Sequence, residues 1–206
     1  MSERIGLLGN GGQADEAESF YRGDVAFRAV SKKYLTEEAT VDINHPDDDE
    51  MITPVCAAVG APAVRRNLVK EWPGDLYKSI ISEKSYIDDS AELGEGSIVA
   101  PSSVITTRVR IGRHAIINVA ATIQHDSLIG DFVTVGPGSH IAGNVIMGDG
   151  VFVGIGAVVS NDVRISKGVV IGAGATLIRD ADVENGVYIG TPAKLIKINE
   201  GWLGEV

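Results

Sequence analysis

The sequence predicts a half-Rossmann-like α/β domain over residues 1–80. A left-handed parallel β-helix of about six turns follows within residues 81–206, with a short C-terminal tail. Three observations predict this fold. A six-residue pattern repeats from Tyr86 to Ala193. Strand-like and helix-like segments alternate before it. Glycine accounts for 25 of 206 residues, well above the usual ~7%.

Cut in sixes from Tyr86, the chain gives 18 hexads without an insertion. The second position is Ile, Leu, Val or Met in every hexad, and the sixth is Ala, Ser or Val. A period of six matches neither a strand nor a helix. It fits a coil with three short faces of one hexad each, so that residues 18 apart stack and aliphatic ladders fill the centre. The glycine that often follows the aliphatic residue indicates a tight turn.

The segments before the repeat predict four strands and two helices, joined in the order β-α-β-β-α-β. The strands are expected at 4–9, 24–31, 54–60 and 79–81, the helices at 13–21 and 63–72, and an acidic loop at 45–50. This order favours a small parallel sheet. The turn Gly9-Asn10-Gly11-Gly12 joins a strand to a helix, where backbone N–H groups favour an anion. A turn that only connects the two elements is an equal alternative.

Composition excludes several classes of function. The net charge of −10 argues against nucleic-acid binding, which needs clustered lysine and arginine. No apolar run approaches the ~20 residues of a spanning helix, and the N-terminus has no signal-peptide pattern. Cys56 is the only cysteine, so an internal disulfide is excluded and a packing role is expected. We therefore expect a cytoplasmic protein without a membrane partner.

Of the four histidines, His125 carries the most information. It falls at a corner of the coil, Asp126 follows it, and Gly143 stacks 18 residues on. A carboxylate bonded to one ring nitrogen would raise the basicity of the other, and glycine would leave open space beside the ring. A solvated corner histidine remains the alternative. The histidines of the coil form no close pair, so no metal site is predicted.

The hexads and three further runs resemble the sugar acetyltransferases of the sialic acid O-acetyltransferase family. The runs are 123–131, 142–145 and 188–194. Within that family, the chain looks most like bacterial N-acetyltransferases that act on nucleotide-linked 4-amino-sugars, of the bacillosamine-pathway type. The resemblance covers nearly the whole chain and is strongest over residues 80–195. It implies a homotrimer without a metal, in which acetyl-CoA lies between neighbouring β-helices and the N-terminal domain binds the nucleotide-sugar.

The resemblance also implies roles for individual residues. His125 is expected to be the general base, Asp126 to raise its basicity, and Asn118 to lie near it. Backbone groups at Thr134, Gly143, Ile155 and Ala173 are expected to hold acetyl-CoA. The nucleotide-sugar is expected at Gly11, Gly12, Gln13, Ser31 and Gly60. The relatives have histidine where this chain has Thr134 and Gln13, and acidic residues where it has Ser31 and Lys32. The last two differences leave the acceptor open.

The reaction expected from this resemblance is acetyl transfer from acetyl-CoA to the amino group of a nucleotide-linked amino-sugar. A backbone N–H of the coil, such as that of Gly143, would hold the thioester oxygen. O-acetylation of a sugar such as sialic acid is one alternative, and a non-catalytic trimeric scaffold is another. Because the hexads lack an insertion, the walls of the site must come from the N-terminal domain and a neighbouring subunit. We therefore expect His125 at a subunit seam.

Overall fold

A computed structural model describes residues 3–200. The N-terminal unit is a four-stranded sheet with three helices, and all its strand pairs are parallel. The order across the sheet is β3-β2-β1-β4. Its elements are β1 (Arg4–Leu8), α1 (Gly12–Phe20), β2 (Asp24–Val30), a 3-10 turn (Lys32–Tyr34), β3 (Val41–Asp42), α2 (Asp48–Met51), β4 (Val55–Ala57) and α3 (Pro62–Glu71). Within residues 3–200, no helix is both long and apolar enough for a membrane span.

The central strand β1 is an unbroken apolar run, typical of a parallel strand that is covered on both faces. Ile5 and Leu7 pack with Ala14 and Ala17 of α1 and with the side of the coil. Leu8 belongs to a second cluster on the other face of the sheet, which includes Leu68 and Trp72. The sheet is thus held between its own helices and the coil.

The predicted acidic loop at 45–50 is wrong in part, because its second half is helical. The Asp47 carboxylate accepts a hydrogen bond from the Glu50 backbone N–H at 2.8 Å, and the Glu50 side chain accepts from the Asp47 N–H at 2.8 Å. This reciprocal capping box satisfies two N–H groups that a helix start leaves unpaired, so it stabilises the short helix α2. The 3-10 turn and β3 were also not predicted.

The rest of the chain is a parallel β-helix with three faces. Face 1 contains β5 (Ile80–Ile81), β8 (Ile98–Val99), β11 (Ile116–Ile117), β14 (Thr134–Val135), β17 (Phe152–Val153), β20 (Val170–Ile171) and β22 (Gly186–Ile189). Face 2 contains β6 (Tyr86–Ile87), β9 (Val104–Ile105), β12 (Thr122–Ile123), β15 (His140–Ile141), β18 (Val158–Val159) and β21 (Thr176–Leu177). Face 3 contains β7 (Glu92–Leu93), β10 (Arg110–Ile111), β13 (Leu128–Ile129), β16 (Ile146–Met147) and β19 (Arg164–Ile165). We call the three lines of turns between these faces edge 1–2, edge 2–3 and edge 3–1.

The interior of the coil follows the predicted pattern. Every second-position residue from Val99 to Leu177 is at most 5% exposed, and together with the sixth positions they form one continuous core. The predicted inward orientation of both positions is therefore confirmed over these coils. Burying these aliphatic side chains, with only 5% aromatic residues in the chain, supplies the main stabilising free energy.

The predicted reason for the recurring third-position glycine is wrong. The left-handed backbone falls at the fifth position, where Ala120 (φ 56°) and Phe132 (φ 58°) adopt it without glycine. The third position is instead crowded by the next coil. A Cβ at Gly112 would lie 2.7 Å from the Asp131 backbone nitrogen. Glycine there allows the stacked coils to approach each other closely.

Both ends of the coil depart from the predicted register. The coil begins one hexad before Tyr86, because Ile80 already pairs with Ile98. Near the other end, Val187 pairs with Val170, an offset of 17 residues instead of 18. Tyr188, 6% exposed, therefore points inward where Ile189 was predicted. The antiparallel strand β23 (Lys194–Ile198) then closes the end of face 1.

Candidate active site

His125 and Asp126 occupy a turn on edge 2–3, directly after β12. Asp126 adopts the left-handed backbone (φ 61°), which directs its carboxylate toward the imidazole that precedes it. The Asp126 Oδ2 lies 2.8 Å from His125 Nδ1. An ionised carboxylate can only accept a hydrogen bond, so this contact places the proton of a neutral ring on Nδ1. The lone pair of Nε2 is then available at a half-exposed side chain.

Arg108, which sequence reasoning missed, holds the other side of Asp126. Its Nε donates to Oδ1 at 2.7 Å and its Nη2 to Oδ2 at 3.0 Å. The hydrogen bonds from Arg108, and secondarily from His125, lower the pKa of Asp126 to about 2. Arg108 precedes Asp126 by 18 residues, so the stacking rule contained the signal. Because Asp126 shares its charge with this guanidinium, it raises the basicity of His125 less than an unpaired carboxylate would.

Gly143 lies one coil above His125, and the imidazole packs directly on it. A Cβ at Gly143 would stand 2.6 Å from Cε1 and 2.7 Å from Nε2 of the ring. The open space expected beside the ring is therefore filled by the ring itself. The N–H groups of Ala142 and Asn144 bond to adjacent coils, whereas that of Gly143 has no partner within residues 3–200. A free backbone donor thus lies next to the imidazole.

The turns on the three edges differ in how they treat this fourth-position N–H. On edge 3–1, the N–H of Arg113 and of Asp131 each donate to an aspartate of the next coil, at 2.8 and 2.9 Å. On edge 1–2, the N–H groups of Ile155 and Ala173 have no partner in the described part of the chain. Edges 1–2 and 2–3 therefore keep backbone donors for a ligand.

The predicted cofactor residues do not meet within one chain. Gly143 shares edge 2–3 with His125, whereas Ile155 and Ala173 stack on edge 1–2. Asn118, predicted to lie near the base, also stands at edge 1–2. It is 5% exposed, and its Nδ2 donates to the Val135 carbonyl at 3.2 Å. A site that uses both edges needs a second copy of the coil.

The structure contradicts the placement of Thr134 on a cofactor groove. Its side chain is 2% exposed, because the N-terminal unit covers this part of face 1. Thr134 Oγ1 donates to the Gly60 carbonyl at 2.7 Å and accepts from Arg65 Nη2 at 3.0 Å. The fully buried Arg65 also bonds to carbonyls of both units. Thr134 therefore joins the two units and has no free face for acetyl-CoA.

The residues predicted to bind the nucleotide-sugar converge on the C-terminal edge of the parallel sheet. A cavity of about 560 Å³ opens there, and its lining includes Gly9, Asn10, Ser31, Lys33, Tyr34 and Glu71. Gly11 caps α1, and neither a Cβ there nor one at Gly12 would meet any atom within 4 Å. Gln13 Oε1 lies 3.7 Å from the Cβ position of Gly60, while the buried Gln13 Nε2 has no hydrogen-bond partner. These groups leave donors and space beside the helix start.

The other histidines have local roles. His140 Nδ1 lies 3.0 Å from Thr122 Oγ1, His45 Nδ1 lies 3.1 Å from Asp42 Oδ2, and His114 is buried between two aromatic rings. Among the described residues, no three His, Cys, Asp or Glu side chains are grouped closely enough to hold a metal ion.

Comparison with known proteins agrees with the fold. The family described as bacterial transferase hexapeptide (six repeats) matches residues 126–161. Perosamine N-acetyltransferase of Caulobacter crescentus, solved with CoA and GDP-perosamine, is 28% identical and covers 94% of this chain and 97% of its own, with a TM-score of 0.84. WeeI of Acinetobacter baumannii is 27% identical and covers 93% of this chain and 99% of its own, with a TM-score of 0.78. No curated protein sequence matches the chain significantly.

The acetyltransferase domain of PglB from Neisseria gonorrhoeae, solved with acetyl coenzyme A, shares the fold. It is 24% identical and covers 95% of this chain and 100% of its own, with a TM-score of 0.81. The repeat match and these similarities confirm a left-handed β-helix of the hexapeptide type. They also confirm the resemblance to acetyltransferases of nucleotide-linked amino-sugars.

Proposed function

We propose that this hexapeptide-repeat chain is an acetyl-CoA-dependent N-acetyltransferase that acts on the amino group of a nucleotide-linked amino-sugar. The observation that carries the proposal is the His125 ring, held by Asp126 at 2.8 Å and packed beside the free N–H of Gly143. Similarity to the Caulobacter enzyme over 94% of the chain supports the same class of reaction.

In the proposed reaction, the sugar amine attacks the thioester carbonyl of acetyl-CoA. The new C–N bond forms, the C–S bond breaks, and CoA leaves as a thiolate. His125 Nε2 takes the proton that the amine loses and returns it to the thiolate, while Asp126 stabilises the transient imidazolium. The Gly143 N–H donates to the thioester oxygen as it becomes negative. Each role requires only groups that already lie on edge 2–3.

The cofactor groove is proposed to lie between two copies of the coil. Edge 2–3 of one copy supplies His125 and Gly143, and edge 1–2 of the next supplies Ile155 and Ala173. The unpaired N–H groups on both edges support this assignment. A closed ring of three copies, each about six turns tall, repeats the same contact three times, so the proposed working unit is a homotrimer.

The N-terminal unit is proposed to be a half-Rossmann-like nucleotide-sugar domain. Its parallel order β3-β2-β1-β4 places the end of β1 in the middle of the sheet, where such folds bind phosphates. We assign the diphosphate to the N–H groups of Gly11 and Gly12, with Gln13 and Gly60 beside it. We assign the nucleoside to the cavity next to Ser31.

The test is a kinetic assay on the full chain with acetyl-CoA and a panel of GDP-, UDP- and dTDP-linked 4-amino-sugars. Release of the CoA thiol is followed spectroscopically. His125→Ala is expected to lower kcat by about 10²–10⁴, the usual contribution of a general base. Asp126→Asn should lower it less. The exposed coil residue His140 provides a matched control, and His140→Ala should retain turnover. Near-wild-type turnover of His125→Ala would refute the proposal.

The same samples separate the alternatives. An amide product resists mild alkali, whereas an ester formed by O-acetylation is hydrolysed. A non-catalytic scaffold would show no thermal stabilisation by acetyl-CoA, while a true ligand at 100 times its Kd adds about 2.7 kcal/mol. An alkali-labile product or the absence of stabilisation would therefore replace N-acetylation by one of these functions.

A further inference from the structure

We propose that Arg108 is a positioning residue for the acetyl transfer, which fixes the Asp126 carboxylate so that it orients the His125 ring. The inference rests on the proposed function and assigns a role to a residue outside the predicted site. Arg108 belongs to the coil below His125 and touches the base only through Asp126.

The contact between Arg108 and Asp126 is a two-point clamp. The guanidinium donates from Nε to Oδ1 at 2.7 Å and from Nη2 to Oδ2 at 3.0 Å. His125 Nδ1 lies 2.8 Å from the same Oδ2. Rotation of the carboxylate would break all three contacts, so the clamp restricts Asp126 to the orientation in which it faces the ring.

The register of the coil prepares this clamp. Arg108 (φ 56°) and Asp126 (φ 61°) both occupy the left-handed fifth position, so their side chains leave successive coils at the same point. The Arg108 N–H donates to Ser90 Oγ at 2.9 Å, and Ser90 Oγ in turn donates to Asp88 at 2.6 Å. The nearby Asp88 charge attracts the guanidinium as well. The stack therefore holds Arg108 from below.

A stabilising role for the fold explains this pair less well. The Arg108 side chain is 64% exposed and that of Asp126 is 35% exposed. Ion pairs this open to solvent contribute little to stability. Orientation is different, because a base that turns away from the attacking amine loses rate even when the protein stays folded. The clamp also opposes the basicity of His125, so loss of Arg108 could change the rate in either direction, and the sign is informative.

The experiment compares Arg108→Gln, Arg108→Lys and the control Arg110→Gln. Arg110 is an exposed arginine of the neighbouring face, paired with Glu92 of the coil below at 3.5 Å. We expect Arg108→Gln to lower kcat about tenfold with unchanged KM values and melting temperature, because the ring loses its fixed orientation. Arg108→Lys keeps the charge but not the fork, so its kcat should lie between those of Arg108→Gln and the wild type. Arg110→Gln should match the wild type.

A double-mutant cycle identifies the route of the effect. In an Asp126→Asn background, Arg108→Gln should have no further effect on kcat, because the group through which it acts is already changed. Equal losses in both backgrounds, or a rise in kcat on Arg108→Gln, would overturn the inference while leaving the role of His125 intact. Loss of activity in His125→Ala, measured alongside, keeps failure of the proposed function distinguishable.

Discussion

His114 is the buried histidine of the coil, and its environment is apolar. The side chain is 3% exposed, with the Phe132 ring stacked at 5.0 Å and the Tyr77 ring edge-on at 4.7 Å. Burial, followed by repulsion from Arg113 and Arg65, lowers the pKa of His114 to about 4. Its Nδ1 has no hydrogen-bond partner. The residue therefore packs as a neutral ring and takes no part in chemistry.

This pKa predicts a specific loss of stability in mild acid. The unfolded histidine takes up a proton near pH 6.5, whereas the folded one resists until about pH 4, so stability falls as the pH drops through that window. Between pH 7.5 and 5 the loss is about 2 kcal/mol. His114→Phe should remove this part of the dependence, and Phe132 already occupies the same left-handed position one coil above. Thermal midpoints at both pH values would measure it.

The matched control for His114→Phe is His140→Phe, at an exposed coil residue, which should keep the pH dependence of the wild type. If His114→Phe loses as much stability in acid as the wild type does, the assigned environment of His114 is wrong. The fold tolerates an aromatic ring here, so a general failure to fold is not the expected result.

At the residue scale, the sequence could predict contacts that the repeat itself determines. The 18-residue stacking rule brings Gly143 onto His125, and the same rule contains the Arg108–Asp126 pair. It could not predict the burial of Thr134, since that depends on where the N-terminal unit docks on face 1. A spacing rule describes one coil against the next and carries no information about a separate unit.

At the element scale, close stacking of the coils makes a testable demand on Gly154. A Cβ there would lie 2.6 Å from the Ala173 backbone nitrogen and 2.8 Å from the Ile171 carbonyl oxygen. Backbone atoms of a packed coil cannot move aside easily. We therefore expect Gly154→Ala to reduce the free energy of unfolding by about 3 kcal/mol. Chemical denaturation at fixed protein concentration would measure the loss.

Gly156 is the matched control for this prediction. It adopts the left-handed backbone (φ 66°), but a Cβ there would meet no atom within 4 Å. Ala120 shows that the coil accepts alanine at the equivalent position. Gly156→Ala should therefore cost only about 1 kcal/mol. Equal losses for the two variants would mean that backbone conformation, and not space between coils, explains the third-position glycines.

Elements were predictable where one period controls them. The strands from Tyr86 to Leu177 follow the hexads without exception because each coil repeats the packing of its neighbour. The period continues in the sequence beyond Leu177, yet Ala181 pairs with Ile165 at an offset of 16 residues and the register shifts. The last coils have no neighbour above them to enforce it. The helix α2 was missed for another reason, since its acidic residues suggested a loop and only the capping box stabilises it.

At the scale of the whole molecule, Arg65 fixes the N-terminal unit on the coil. It is fully buried without a carboxylate partner, and burial lowers its pKa to about 9, so it remains cationic at neutral pH. Its charge is instead shared among carbonyls of both units, including those of Gly60, His114 and Phe132. Gly60 borders the proposed acceptor site, so this contact sets the distance between that site and the coil.

The division of the proposed cofactor residues between two edges predicts complementation between subunits. His125→Ala disables edge 2–3, and Ala173→Glu should block edge 1–2 with a bulky anion that repels the phosphates of CoA. Each variant alone is expected to be inactive. In mixed assemblies, a seam that joins the intact edge of one variant to the intact edge of the other is functional, so random mixing should restore about a quarter of the wild-type activity. Co-expression with two affinity tags, followed by thiol-release assays, would measure it. If the mixture is no more active than either variant, the whole site lies within one chain and the proposed seam is wrong.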